Sequence, residues 1–182
     1  DPDDPRHVPD GPFAREGLRY YQFLDRQIGA LLRAAGDDSA VLVVSDHGAR
    51  PLRGGLCINE WLIERGYLVL ERYPERLTPF DQLAIDWSRT RAWGEGGYYA
   101  RICLNLRGRE PGGCVDPAAA DGLCEQLARE LSELPGPDGE VVANRCLRPA
   151  QVYRRVSGLA PELMIFFADL AYRSLGSVGH RR

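Results

Sequence analysis

The chain has 182 residues, of which 44% are hydrophobic and 27% are charged. This composition supports a globular core, and it excludes a disordered tail and a collagen-like chain. The net charge is −3, from 23 basic and 26 acidic residues, and no basic face stands out, so we expect no nucleic-acid partner. The longest apolar runs, at 40–44 and 163–168, are far shorter than a membrane span, so we expect no membrane partner either.

The cysteines are odd in number, and no two of them have the spacing of a zinc knuckle or a thioredoxin motif. They are Cys57, Cys103, Cys114, Cys124 and Cys146. We therefore expect free, partly buried thiols in a reducing compartment, which favours a cytoplasmic location. The sequence leaves the oligomeric state open.

The first predicted element is an amphipathic helix that runs from about Arg15 and ends at Gly36. Its apolar residues recur at spacings of three and four, as Leu18, Tyr21, Leu24, Ile28, Leu31 and Leu32. The valine-rich run at 40–44 then predicts a strand buried on both faces, in the middle of a parallel sheet. A helix, a short turn and a buried strand make half of an α/β repeat.

Shorter elements follow in the middle of the chain. A short helix is predicted at 58–65 and a strand at 67–70. The segments 90–93 and 98–105 are predicted to pair as strands across the glycine-rich connection 94–97.

A second long helix begins at Asp116, because a capping carboxylate there precedes a proline at the first helical position. Further strands are predicted at 141–147 and 163–167, with a helical turn at 149–153 between them. The apolar strand at 163–167 is again expected in the middle of a parallel sheet.

One motif carries chemistry: Ser45, Asp46, His47 and Gly48, which follow the predicted strand at 40–44. Ligands of open α/β sheets bind at the carboxyl ends of the strands. The Asp46 carboxylate and the neutral His47 imidazole together suit zinc or manganese. The tetrapeptide alone equally allows Asp46 to cap the next element and His47 to be a plain loop residue.

The residues around this motif resemble the alkaline phosphatase superfamily. The likeness is to its type I phosphodiesterase/nucleotide pyrophosphatase branch, in particular to bacterial and archaeal phosphohydrolase or phosphomutase proteins. The Ser-Asp-His-Gly element is the specific part, and supporting similarity extends over 41–51, 58–62, 66–68, 86–92, 105–111 and 172–179.

The resemblance implies an α/β fold that is part of an alkaline-phosphatase-like sandwich, with a mostly parallel central sheet and a small inserted α+β region. The chain is then a single segment of that domain. Residues 1–70 form a core helix–strand unit with the metal motif, residues 71–160 an inserted or peripheral region, and residues 161–182 a return to the core sheet.

The resemblance also implies two divalent metal ions, zinc or else manganese, with Asp46 and His47 as ligands of one of them. A Thr or Ser nucleophile is expected outside this chain, so no catalytic or substrate-binding residue is assigned within it. The other ligand elements are expected before Asp1 and after Gly179, and the resemblance does not assign a ligand role to His180. The implied substrate is a small phosphate ester or nucleotide.

Other candidate residues have simpler structural interpretations. Ser88 and Thr90 are hydroxyl nucleophiles only in principle, because no base is near them in a predicted strand. Arg109 suits a phosphate, although a loop salt bridge is the favoured interpretation. Asp169 follows a predicted strand and is expected to cap rather than to bind. Glu162 stands where such proteins often have Asp, a difference without evident chemical meaning.

Two other functions stay open at this stage. One is a phosphomutase or a sulfatase of the same superfamily, which the identity of the nucleophile would distinguish. The other is a non-catalytic module that retains the fold, which the metal content of the protein would distinguish.

Overall fold

The structure, a computed structural model, describes residues 7–180, and the chain divides into two compact units, Asp1–Pro51 and Leu52–Arg182. The first unit contains helix α1 (Ala14–Ala35), which confirms the predicted amphipathic helix. Gly36 ends α1 with φ 80°, a left-handed conformation that glycine adopts most easily. Among the described residues, none of the helices is both long enough and apolar enough to cross a lipid bilayer.

The predicted strand at 40–44 is wrong, because these residues form neither helix nor strand. The side chains from Val41 to Val44 are between 57% and 97% exposed, so they line no core. An apolar run becomes a strand only where a neighbouring strand accepts its backbone hydrogen bonds. The described part of the first unit offers no such strand. The Ser45–Gly48 motif is consequently not at the end of a buried strand.

The second unit has a mixed α/β composition. Its elements are β1 (Gly54–Cys57), α2 (Ile58–Glu64), β2 (Ala92–Glu95), β3 (Ala100–Leu104), α3 (Ala120–Ser132), β4 (Arg145–Leu147), α4 (Pro149–Val152), β5 (Leu163–Phe166) and β6 (Tyr172–Leu175). Single 3₁₀ turns lie at Phe80–Gln82 and Pro117–Ala119, and Phe167–Leu170 is a turn with positive φ angles at its last three residues.

Two sheets organise this unit. The larger has the order β2-β3-β5-β4, and all its neighbouring strands are antiparallel. The smaller is the parallel pair of β1 and β6, with Gly54 opposite Tyr172. The predicted pairing is confirmed, because β2 and β3 are antiparallel neighbours with Trp93 opposite Cys103. The connection is shifted, since Gly94 and Glu95 belong to β2 and the strands are joined by 96–99 instead of 94–97.

Three strand predictions need correction. The segment 163–167 does form a central strand, but β5 is antiparallel to both β3 and β4, because an apolar run indicates burial on both faces and not strand direction. The segment 67–70 contributes only an isolated bridge from Leu70 to Ile85. Of 141–147, only Arg145–Leu147 is strand.

The core lies between the larger sheet and the helices. Helix α3 packs against β4 and β5, and α2 packs against β2. The predicted cap is present, since Asp116 Oδ1 accepts a 2.9 Å hydrogen bond from Ala118 N and Pro117 follows it. It caps the 3₁₀ turn that leads into α3, and the regular α-helix begins at Ala120. Fully buried side chains of this core include Leu62, Ile102, Leu104, Leu127, Leu131, Leu163, Ile165 and Phe167.

Candidate functional site

The Ser45–Gly48 motif lies in the first unit, in an exposed segment without helix or strand. Ser45 Oγ donates a 2.7 Å hydrogen bond to the His47 carbonyl oxygen, which holds the segment in a bend. His47 Nε2 lies 3.5 Å from Asp46 Oδ2, and the two side chains are 80% and 89% exposed. The imidazole and the carboxylate are therefore neighbours that solvent and ions can reach.

One nitrogen of the His47 ring is committed to the backbone, because Nδ1 lies 2.9 Å from the Gly48 carbonyl oxygen. A carbonyl oxygen only accepts, so Nδ1 carries the hydrogen, and Nε2 of the neutral ring keeps its lone pair. Nε2 is also the nitrogen that faces Asp46. Two ligands of one tetrahedral zinc ion are roughly 3.3 Å apart, and the observed separation of 3.5 Å is close to this.

The donor chemistry of Asp46 and His47 thus fits part of a metal site. Catalytic zinc ions are held by three protein ligands, and structural ones by four. Within residues 7–180, no group of three or more His, Cys, Asp or Glu side chains is placed to hold a metal ion. The described residues therefore bring together two candidate ligands and no complete set.

In the second unit, the Glu60 carboxylate holds the segment that follows β6. Its Oε1 accepts hydrogen bonds from Gly179 N at 2.7 Å and His180 N at 3.1 Å. Tyr73 Oη donates to the same oxygen at 2.8 Å, and burial together with this bond raises the pKa of Tyr73. The His180 ring lies against Ser177, with Nε2 2.9 Å from the hydroxyl oxygen. His180 is thus positioned by local hydrogen bonds.

The two candidate hydroxyls hold local structure. Thr90 is fully buried, and its Oγ1 accepts from Val69 N at 3.0 Å and donates to Val69 O at 3.2 Å. Ser88 Oγ donates a 2.6 Å hydrogen bond to Asp86 Oδ1 in an exposed turn. The structural interpretation of Thr90 is confirmed, because a fully buried hydroxyl cannot meet a substrate.

Arg109 is the centre of a loop salt bridge, as the sequence favours. Its guanidinium donates to Glu162 Oε1 at 2.5 Å, to Glu110 Oε1 at 2.6 Å and to Leu104 O at 2.8 Å. Hydrogen bonding to Glu162 is the main reason that the pKa of Arg109 is raised. Glu162 also accepts a 2.7 Å hydrogen bond from Leu104 N through its other carboxylate oxygen, so it links the Arg109 loop to β3.

Asp169 lies in a left-handed turn between β5 and β6. The φ angles of Ala168, Asp169 and Leu170 are 45°, 52° and 69°. Residues other than glycine rarely adopt this conformation, and Asp does so more readily than most. The position of Asp169 is explained by this turn.

Sequence reasoning missed a group of side chains that meets beside α3. Tyr67 Oη donates a 2.9 Å hydrogen bond to Glu130 Oε1, and Gln126 Nε2 donates to Tyr67 Oη at 2.8 Å. The Arg91 guanidinium lies over the Tyr67 ring, 4.8 Å from its centroid. Gln126 and Glu130 are one helical turn apart on α3, but Tyr67 lies 63 positions before Glu130, so no local pattern predicts that the three side chains meet.

Comparison with known proteins identifies the family. No curated protein and no solved structure matches the chain. A family model described as type I phosphodiesterase / nucleotide pyrophosphatase matches residues 1–181. The match extends over both units, and it includes the Ser45–Gly48 motif. The chain therefore belongs to the type I phosphodiesterase / nucleotide pyrophosphatase family.

Proposed function

We propose that this protein hydrolyses small phosphate esters or nucleotides, as a metal-dependent phosphodiesterase or nucleotide pyrophosphatase. Family membership supports the reaction class. One structural observation extends the proposal to named residues: Asp46 Oδ2 and His47 Nε2 lie 3.5 Å apart on an exposed bend.

In this proposal, Asp46 and His47 are two ligands of one divalent metal, zinc or else manganese. Asp46 supplies a hard anionic oxygen and His47 a borderline nitrogen, a mixture that both metals accept. The contact between Nδ1 and Gly48 O orients the ring and selects Nε2 as the ligand atom. When bound, a pair of such metals stabilises charge on the phosphate and lowers the pKa of the attacking group.

The remaining parts of the proposal come from the family. The nucleophile is a Thr or Ser outside residues 1–182, which agrees with the burial of Thr90. The fold of the catalytic domain is an alkaline-phosphatase-like sandwich, in which 71–160 is the inserted or peripheral region. The cytoplasmic location also stays a proposal.

The test measures bound metal and turnover of an aryl phosphodiester by the intact protein, for wild type and Asp46→Asn. The substitution keeps the size of the side chain and removes its charge. We expect the variant to lose metal and to hydrolyse at least about tenfold more slowly, because even residues that only orient a ligand change metal affinity or activity by about 10–100-fold. The matched control is Asp38→Asn, an exposed acid in the same unit.

Unchanged metal content and rate in Asp46→Asn would contradict the assignment of this residue. Hydrolysis of an aryl sulfate in place of the phosphodiester would favour the sulfatase alternative. Metal binding without turnover of either ester would favour a non-catalytic module.

A further inference from the structure

The second unit contains an open cleft of about 450 Å³ beside the start of α3. Three segments of chain form it: 88–91, 114–116 and the first turns of α3. The lining residues that matter for a ligand are Arg89, Arg91, Val115, Asp116, Leu123 and Gln126. The volume exceeds that of one phosphate group and falls in the range of small-molecule sites, about 300–1,000 Å³.

Arg91 is the best-positioned cation of this cleft. Its backbone N–H donates a 2.7 Å hydrogen bond to Tyr67 O, and its carbonyl accepts one of 2.9 Å from Asn105 N. Its guanidinium lies over the Tyr67 ring, which is only 2% exposed and is hydrogen-bonded to Glu130. The backbone and the ring together place the guanidinium before a ligand arrives, which lowers the entropic cost of binding.

The charges that face the cleft leave Arg91 available. Arg89 Nη1 lies 3.9 Å from Asp86 Oδ2, and Arg107 Nη1 lies 3.6 Å from Asp116 Oδ2, so these four charges form two loose pairs. Across residues 7–180, the structure records no ion pair for the Arg91 guanidinium. A guanidinium without a carboxylate partner favours an anionic ligand, and its planar fork suits a phosphate.

The rest of the cleft suits a flat ring. Val115 and Leu123 are buried core residues whose surfaces form an apolar floor. Gln126 Nε2 donates to Tyr67 Oη at 2.8 Å and to Glu130 Oε1 at 2.9 Å, which fixes the amide. Among the described residues, no hydrogen bond to the Gln126 side-chain carbonyl oxygen is recorded, so this oxygen can accept one from a ring amine.

We propose that this cleft binds a nucleoside monophosphate, with the phosphate on Arg91 and Arg89 and the base against Leu123. The choice of a nucleotide rests on the proposed function, since a mononucleotide is the product of a nucleotide pyrophosphatase. The positions of the cation and of the apolar floor rest on the geometry of the cleft alone.

The test is equilibrium binding of AMP to the full chain in excess EDTA, so that no metal bound at Asp46 contributes. We expect AMP to bind saturably. Adenosine and inorganic phosphate should each bind at least about tenfold more weakly than AMP, because each of them can make only half of the contacts. Arg91→Gln should weaken AMP binding at least about tenfold, and Arg89→Gln should weaken it less. Binding should also weaken as ionic strength rises.

The matched control is Arg65→Gln. The Arg65 guanidinium also lies over an aromatic ring, 5.7 Å from the Trp61 centroid, but it does not line the cleft. We expect its AMP affinity to stay within about twofold of wild type. If Arg91→Gln fails to fold, Arg89→Gln and Arg91→Lys still test the site, because the lysine keeps the charge and loses the planar fork.

Absence of saturable AMP binding up to about 5 mM would overturn the proposal. Equal AMP affinities of wild type, Arg91→Gln and Arg89→Gln would overturn it as well. Arginine-dependent AMP binding by a protein that hydrolyses no phosphodiester would support the cleft while the proposed function fails. Metal-dependent hydrolysis with arginine-independent AMP binding would refute the cleft alone.

Discussion

The side-chain amide of Asn59 exchanges two hydrogen bonds with the backbone of Gly94, as two residues paired in a β-ladder do. Asn59 Nδ2 donates to Gly94 O, and Gly94 N donates to Asn59 Oδ1, both at 2.8 Å. The second hydrogen on Nδ2 reaches Gly176 O at 2.7 Å. One fully buried side chain thereby joins α2 to β2 and to the segment that follows β6.

Replacement of Asn59 by Ala should destabilise the protein by about 3 kcal/mol or more. Three hydrogen bonds are lost, and each buried backbone group left without a partner costs about 1–3 kcal/mol. Urea denaturation of the variant and of wild type measures the difference. The control is Gln27→Ala on the exposed face of α1, which we expect to stay within about 0.5 kcal/mol of wild type. Similar effects of the two substitutions would show that the Asn59 hydrogen bonds contribute little.

Gly94 should tolerate no side chain, because the Ile58 side chain occupies the space that a Cβ would need. A Cβ built on Gly94 lies 2.7 Å from Ile58 Cγ2 and 3.2 Å from Asn59 Oδ1. Gly94→Ala should therefore cost about 1–3 kcal/mol, the usual range for overpacking. Gly122→Ala is the matched control, because Gly122 lies in α3 with nothing within 4 Å of the added carbon. This control should stabilise the protein by about 0.5–1 kcal/mol.

The essential result is that Gly94→Ala lowers the stability of the protein whereas Gly122→Ala raises it. The unfolding midpoints of both variants measure these two changes. The double variant Ile58→Ala with Gly94→Ala should be more stable than the sum of the single effects predicts, because the first substitution opens the space that the second needs. Strict additivity would mean that the contact with Ile58 is not the cause.

The sequence predicts the elements that depend on local chemistry. The cap at Asp116 and the glycine that ends α1 act within a few residues of themselves, so they are visible without knowledge of the fold. The hairpin of β2 and β3 can also be predicted from local sequence, because the glycine-rich connection between the two strands is short.

The wrong predictions concern features that only the tertiary structure determines. The segment 40–44 has the composition of a buried strand, and no strand lies beside it within the described part of its unit. The apolar pattern of β5 indicates burial but not direction, which depends on β3 and β4. The cluster around Tyr67 combines side chains up to 63 positions apart, and no spacing rule predicts such a meeting. For the candidate metal site, the sequence supplies Asp46 and His47, and the structure adds their separation.

Glu162 should stabilise the second unit through its two acceptor atoms. Glu162→Ala removes the partner of Arg109 Nη1 and of Leu104 N together, and we expect a loss of about 2–3 kcal/mol. Glu162→Asp should lose most of the same stability, because a side chain shorter by one methylene cannot reach both donors. Thermal and urea unfolding measure both variants. Glu125→Ala, an exposed acid on α3, is the control, and a loss as large as that in Glu162→Ala would contradict this role.

The last prediction concerns alkaline pH. Burial, with the hydrogen bond to Glu130 as the next cause, raises the pKa of Tyr67 to about 12. The phenol of an unfolded chain has a pKa of about 10. A group whose pKa is higher in the folded state contributes its full stabilisation below the unfolded pKa, and this contribution is lost as pH rises through the folded value. The stabilisation that the protonated Tyr67 phenol contributes should therefore be lost progressively as the pH rises from about 10 to about 12.

The measurement is the free energy of unfolding in urea at several pH values from about 9 to 11.5, for wild type and Tyr67→Phe. The phenylalanine variant should be less stable at pH 9, because it lacks the hydrogen bonds to Glu130 and Gln126. As the pH rises, the free energy of unfolding of the variant should fall less steeply than that of wild type. The difference in stability between the two proteins should therefore become smaller. Other groups with a raised pKa, such as Cys103, remain in both proteins, and their effects cancel in the difference. Tyr98→Phe, at an exposed position, should leave the wild-type slope unchanged. Parallel curves for wild type and Tyr67→Phe would show that the Tyr67 phenol ionises equally easily in the folded and unfolded states.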